Sequence, residues 1–277
     1  MLIASMTYEE IYREIKDDAR ELYPAVIEEG KRFQHLAKRA KKYPFGKAYT
    51  WKHPKSRNVY MYFFEVKRHS DWDKPPRLVI FTEYDDEGGK TTITVAKQVT
   101  GKIGISIFRP HFFKRYFERN LSRFTEFTPE TEHDVKLAYL IRTSSAIPLG
   151  SKVVSPKELE KDEPEFSNDS LLTPEGLMLC KRLRANTNIV LFKTYLSIQD
   201  LFAEQYAEVT MNLIHAFYLR AVSDSPRYQK SIEKIYLEGI AELNKLWLDP
   251  SLPFEQKQEL RMQKYGEVID EFYKYII

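Results

Sequence analysis

The stretch from Lys102 to Arg119 changes its hydrophobic period partway along, and that change limits the folds open to the chain. Ile103, Ile105 and Ile107 alternate with small or polar residues at period two, the pattern of a strand with one covered face. Pro110 then stands at the place of a first helical residue, where its missing N–H is no loss. Beyond it Phe113, Phe117 and Leu121 recur at helical spacing, while His111, Arg115 and Arg119 stand four apart on another face. At about 100° per residue these three drift by only about 80° across two turns, so one imidazole and two guanidiniums can be aimed at a common ligand. The pattern predicts a strand feeding straight into a helix, closing a sheet whose other strands lie earlier in the chain.

Those earlier elements are readable. Thr7-Tyr8-Glu9-Glu10 has capping-box spacing, and Ile11, Ile15, Ala19 and Leu22 continue at helical period until Pro24 interrupts. Val26, Phe33 and Leu36 resume it as far as Tyr43-Pro44, which predicts two helices or one kinked helix. Residues 48–51, 58–66, 78–84 and 91–96 carry the aromatic and β-branched content of strands, and Gly88-Gly89 marks a hairpin between the last two. After residue 108 the spacing predicts helices at 110–121 and 129–145, a polar loop at 150–175, and a second hairpin at 176–183 and 189–196. Ser197 is expected to cap the first of three C-terminal helices, which break at Ser225-Pro226 and Asp249-Pro250. The fold class is therefore α+β: a mostly antiparallel sheet flanked by N-terminal helices and a C-terminal three-helix segment. The expected division is an α+β domain over 1–196 and a helical segment over 197–277 packed on it.

Composition narrows the function classes. One cysteine, Cys180, can form no internal disulfide, and its apolar neighbours predict a buried, inert thiol. The N-terminus lacks the pattern of a signal peptide, and no run reaches the roughly 20 apolar residues that span a bilayer. The expectation is a cytoplasmic protein with no membrane partner. A net charge of +3 is mild, but it is unevenly laid out. Residues 30–64 hold no Asp or Glu, while residues 97–123 hold Lys97, Lys102, Arg109, Lys114, Arg115, Arg119 and Arg123 against Glu118. Within the first of these stretches the cations Arg39, Lys41, Lys42 and Lys52 interleave with the rings of Tyr43, Tyr49 and Trp51, as stacking of nucleic-acid bases would require. A basic helix end followed by a strand accounts for the same residues without a ligand.

No metal-ligand spacing is present among the six histidines, and neither a metal nor a cofactor is expected. Phosphate chemistry remains. Metal-free RNA cleavage needs a proton acceptor for the 2′-hydroxyl, a donor for the leaving oxygen, and cations for the charge growing on phosphorus. His111, Arg115 and Arg119 meet part of that demand, with Lys114 and Lys193 as further phosphate ligands and Thr194 on a neighbouring strand. Ion pairs of Lys114 and Arg115 with Glu118 on an ordinary surface helix are the competing account.

The segment from Pro110 to Arg119, followed by Ile189-Val190-Leu191-Phe192-Lys193-Thr194-Tyr195, resembles the His-x3-Arg-x3-Arg helix and strand-borne Thr of nuclease toxins of the barnase, colicin and RelE-like superfamily. The resemblance is confined to these two segments, and the helical last third has no counterpart in it. It implies RNA cleavage, with His111 as acid or base, Arg115 and Arg119 holding phosphate, and Thr194 positioning it. The function expected is thus an RNA-directed protein, a metal-independent ribonuclease in its sharpest form. The alternative is a noncatalytic interaction module that docks a protein partner, or a second copy of itself, through residues 198–277.

Overall fold

The computed structural model of the chain describes residues 1–86, 88–98, 100–120, 135–137, 139–140, 147–148, 165–173, 176–197 and 203–276. They form two compact units. The described residues of the first fall within Met1–Arg115, Asp162–Ser167 and Cys180–Thr194, and those of the second within Tyr116–Lys161, Asn168–Leu179 and Tyr195–Ile277. The class is α+β, as the periodicities predict, with the division falling inside elements and not at one point in the sequence.

The first unit opens with helix α1 (Tyr8–Arg39). The Glu10 N–H donates to Thr7 Oγ1 at 3.3 Å, and the Thr7 N–H donates to the Glu10 carboxylate at 2.8 Å, which satisfies two of the donors that a helix start leaves open. Pro24 lies inside α1, yet the helix is one piece. Leu22 and Val26, on either side of that proline, are both buried in the same core, so tertiary burial outweighs the lost hydrogen bond. Gly30 marks the close approach to the sheet, since a Cβ there would meet the Phe64 ring at 3.4 Å.

The strands follow as an antiparallel meander: β1 (Phe45–Lys52), β2 (Val59–Val66), β3 (Arg77–Asp86), β4 (Gly89–Lys97) and β5 (Ile103–Phe108). Gly89, at φ +117°, closes the β3–β4 hairpin opposite Asp86, a conformation that favours glycine. Tyr60, Tyr62, Phe64 and Val66 alternate on the covered face of β2, joined by Ile93, Val95, Ile105 and Ile107 and by the α1 stripe. Strand β9 (Ile189–Ser197) runs parallel to β5 over Ile105↔Ile189 to Phe108↔Phe192, and β8 (Gly176–Leu183) neighbours β9. Residues 110–119 form helix α2 (Pro110–Arg119); Leu121, which the spacing also places in it, lies outside the described residues.

In the second unit the start of β8 lies between the end of β9 and β7 (Phe166–Thr173), which pairs with the short β6 (Ile147–Pro148). The presence of β7 corrects the expected polar loop over 150–175. Its Phe-Ser-Asn-Asp-Ser-Leu-Leu-Thr sequence hides a strand because only Phe166, Leu172 and two small hydroxyl residues, Ser170 and Thr173, are buried. Residues 150–164 lie outside the described residues, as do 198–200 after Ser197. Of the helix expected over 129–145, residues 135–137 and 139–140 are described and helical.

Helices α3 (Ala203–Asp224), α4 (Gln229–Leu248) and α5 (Phe254–Tyr273) complete this unit. Leu213, Phe217, Ile232, Leu243, Val268 and Phe272 share its core with Leu172, Leu177 and Leu179. Gly239 lets α4 and α5 come together, because a Cβ there would lie 2.8 Å from the Val268 side chain. Cys180 is buried, as its surroundings predict. Among the described residues no helix is long and apolar enough to cross a membrane.

One polar group in the first unit sits deep against this apolar packing. Asp18 on α1 is 3% exposed and accepts hydrogen bonds at 2.8 Å each from Ser56 Oγ, Asn58 Nδ2 and the Tyr60 hydroxyl. The Asp18→Ala variant removes the acceptor of the buried Asn58 and Tyr60 donors and of the half-buried Ser56 hydroxyl. It is expected to lose about 3–5 kcal/mol of unfolding free energy in a urea titration, given about 1–3 kcal/mol per unsatisfied group. Burial also pushes the phenols of Tyr23, Tyr60 and Tyr84 up, Tyr23 to about 12. The unfolded chain ionises near pH 10 while these folded phenols stay neutral, so their contribution is complete below pH 10 and falls as pH rises beyond it. Thermal melts between pH 9 and 12 should show a progressive drop in Tm, reduced in the Tyr23→Phe variant.

Candidate functional site

The predicted His-Arg-Arg row exists, and strand β9 explains what it does locally. The parallel β5–β9 register stops at Phe108↔Phe192. The Phe108 ring stacks on Phe192 at 4.4 Å and 13°, with Phe112 edge-on to both, so the first turn of α2 is held against β9 by aromatic packing. Past Phe192 the strand edge has lost β5 as its partner, and side chains of α2 take over. His111 Nε2 donates to the Lys193 carbonyl at 2.8 Å, and Arg115 Nη1 donates to Thr194 Oγ1 at 2.6 Å.

Each of these contacts lies within the first unit. In the second unit, Arg119 Nη1 donates to the Tyr195 carbonyl at 2.8 Å, next to buried Tyr116, whose ring packs edge-on against Tyr139 and Tyr195. Arg119 is thus engaged by backbone, and the first-unit constellation comprises His111, Arg115 and Thr194. Their exposures differ in a useful way: His111 and Arg115 are exposed, while Thr194 is only 9% exposed. Lys114 is exposed and Lys193 half-buried.

A carbonyl can only accept, so in the neutral ring the bond to Lys193 places the His111 proton on Nε2 and leaves Nδ1 with the lone pair. Nδ1 has no partner among the described residues. The Arg115 guanidinium has one of its five donors on Thr194 and none of the others on a described residue. An exposed proton acceptor and an exposed cation with spare donors therefore stand one helical turn apart.

The second sequence-predicted cluster is arranged differently. Arg39, Lys41, Lys42 and Lys52 are exposed. The rings expected to stack bases are occupied by the protein. Trp51 packs against His53 at 5.5 Å and Tyr60 at 6.0 Å, Tyr49 stacks on Tyr62 at 5.4 Å, and the Tyr43 hydroxyl donates to the Ala37 carbonyl. Only the cations of that cluster are presented to a ligand. Among the described residues no group of three His, Cys, Asp or Glu side chains is placed to hold a metal ion.

Sequence reading missed the backbone carbonyls of Lys193 and Tyr195, because every residue has a carbonyl and none is signalled by its letter. Comparison with family models, with curated proteins and with solved structures finds no match to this chain.

The Arg115–Thr194 bond is testable as a pair. Thr194→Val keeps the side-chain shape and removes the acceptor. In a double-mutant cycle with Arg115→Ala, chemical denaturation should return a coupling of about 0.5–3 kcal/mol, the range for residues in direct contact.

Proposed function

We propose that this chain is an RNA-directed protein and that it cleaves RNA without a metal, using His111, Arg115 and Thr194 at the phosphodiester. The observation that supports this reading is the commitment of His111 Nε2 to the Lys193 carbonyl, which in the neutral ring leaves Nδ1 as the accepting nitrogen of an exposed side chain. Nδ1 removes the proton of a 2′-hydroxyl as that oxygen bonds to phosphorus. The bond from phosphorus to the 5′-oxygen breaks, and the same proton is returned to the leaving oxygen, giving a cyclic phosphate and a free 5′-hydroxyl. Arg115 offers its remaining donors to the phosphoryl oxygens, where negative charge grows, and Thr194 keeps its guanidinium in place. Lys114 and Lys193 add positive charge nearby, and Arg39, Lys41, Lys42 and Lys52 supply exposed cations for the rest of a strand. The resemblance of the α2 and β9 segments to nuclease toxins of the barnase, colicin and RelE-like superfamily points the same way.

A second reading, a noncatalytic interaction module, draws on the second unit. Leu237 and Leu248 on α4 are 58% and 75% exposed and fall on nearly the same side of the helix, since eleven residues turn it by about 20° from alignment. Such a face suits a protein partner or a second copy.

The two readings separate in one assay. A labelled RNA oligonucleotide, and the same sequence with 2′-deoxyribose throughout, are incubated with the wild-type protein, His111→Ala and Arg115→Ala in the presence of a chelator. Cleavage of RNA alone is expected, reduced about 10²–10⁴-fold by His111→Ala. No cleavage by the wild type, or equal cleavage by His111→Ala, overturns the enzyme. Concentration-dependent sedimentation abolished by Leu237→Glu/Leu248→Glu supports the module.

A further inference from the structure

The first unit holds a second concave site, lined by residues that do not include the His111 row. A cavity of about 720 Å³ opens beside α1, within the size range of small-ligand sites. Its charged lining is Lys16, Arg20, Lys97 and Lys102, and no Asp or Glu is among its walls. A larger cavity in this unit, about 1120 Å³, provides a contrast, because Glu9, Asp86 and Glu165 stand there against Arg109 and Arg184. Charge of a single sign in a concavity attracts a ligand of the opposite sign.

The fold gathers these cations from separate segments. Lys16 and Arg20 lie four apart on one face of α1, with Tyr12, Tyr23 and Ile27 of the same helix lining the cavity. Lys97 and Lys102 flank the β4–β5 turn, where Gln98 N–H donates to the Lys102 carbonyl at 2.8 Å and Gly101 adopts φ +81°. Arg20 has an exposed partner in Asp17 at 3.5 Å, but Lys16, Lys97 and Lys102 make no ion pair among the described residues.

The neutral polar groups are biased in the same direction. Asn186 Oδ1 already accepts from the Asn188 backbone and side-chain N–H groups, and Asn188 Oδ1 accepts from Gln98 Nε2 at 3.2 Å. The amide N–H groups of Asn186 remain for a ligand. The Tyr23 hydroxyl is buried with no complete hydrogen bond, and the Tyr12 hydroxyl donates to the Ile103 carbonyl at 3.1 Å, leaving the Tyr12 ring as wall. What the side chains of this cavity still offer is almost wholly hydrogen-bond donors and positive charge, over a floor of Tyr12, Tyr23, Ile27 and Ile103.

We infer that the cavity between α1 and the β4–β5 turn binds a nucleoside polyphosphate, with Lys16, Lys97 and Lys102 on the phosphates and the tyrosine-lined floor under the ring system. The phosphates supply acceptors and charge, and the flat ring covers apolar surface that no inorganic anion would cover.

Calorimetric titration with ATP, adenosine and inorganic triphosphate at low salt tests the inference. ATP is expected to bind saturably, adenosine and triphosphate each at least about tenfold more weakly, and added salt to weaken ATP further. The Lys16→Glu/Lys102→Glu variant changes two exposed side chains; with its Tm shown to be native-like, it should lose at least about tenfold in ATP affinity. His111→Ala, outside the cavity, should bind ATP as the wild type does, which separates this site from the proposed RNA chemistry. Absence of saturable ATP binding, an unaffected Lys16→Glu/Lys102→Glu variant, or triphosphate binding as tight as ATP each overturns the inference. Full RNA cleavage without ATP binding would overturn this site alone, and ATP binding without cleavage the proposed enzyme alone.

Discussion

The first unit depends on a carboxylate buried where apolar packing alone would not tolerate it. Asp18 lies between Ile15 and Ala19 on the covered face of α1, and its environment is acceptable because Ser56, Asn58 and Tyr60 all turn donors toward it. Those donors come from the β1–β2 turn and the start of β2, so the cluster sets which turn of the helix meets which part of the sheet. Asn58 carries the arrangement further, giving its second amide hydrogen to Glu14 and accepting from the Leu2 N–H, each at 2.8 Å. Apolar contacts between α1 and β2 would tolerate sliding; a carboxylate with three geometrically fixed partners does not.

A similar exchange of backbone for side-chain partners happens at β9. A strand that outruns its neighbour leaves carbonyls without acceptable partners, and α2 follows β5 directly, which brings its polar row to that edge. Supporting a strand and poising an imidazole are compatible tasks, since the bond that satisfies the Lys193 carbonyl is the one that selects the His111 tautomer. The same residues therefore carry a structural duty whether or not a substrate ever arrives, and a loss of stability on mutation would say nothing by itself about chemistry.

Much of the fold was legible in the sequence because local signals and tertiary packing agree. Thr7 and Glu10 cap α1 as their spacing predicts, Gly89 turns the hairpin, and the change of period after Phe108 marks a real strand-to-helix passage. Signals failed where burial acts through small or backbone groups. Strand β7 hides its covered face behind Ser170 and Thr173, and Pro24 reads as either a break or a kink, while packing on both sides carries one helix through it. For the candidate site, the proximity of Thr194 to Arg115 could be anticipated, but not the carbonyl partners of His111 and Arg119. Aromatic letters misled in a different way, because Trp51, Tyr43 and Tyr49 suit a base-stacking surface or a protein interior equally well and the structure uses them inside. The donor-rich cavity was invisible, since Lys97 and Lys102 belong to a basic stretch the sequence does show, but only the fold brings Lys16 and Arg20 of α1 beside them.

The parallel pairing of β5 with β9 has a consequence for how the chain is made. The register matches Phe108 with Phe192, so at ~5–20 residues per second the partner strand emerges from the ribosome about 4–17 s after β5. Throughout that interval β5 has an open hydrogen-bonding edge ending in an aromatic ring, next to a meander that can already pair among itself. A nascent chain in that state is a substrate for holding factors and a template for unwanted strand addition, and the span between residues 108 and 189 sets how long it stays so.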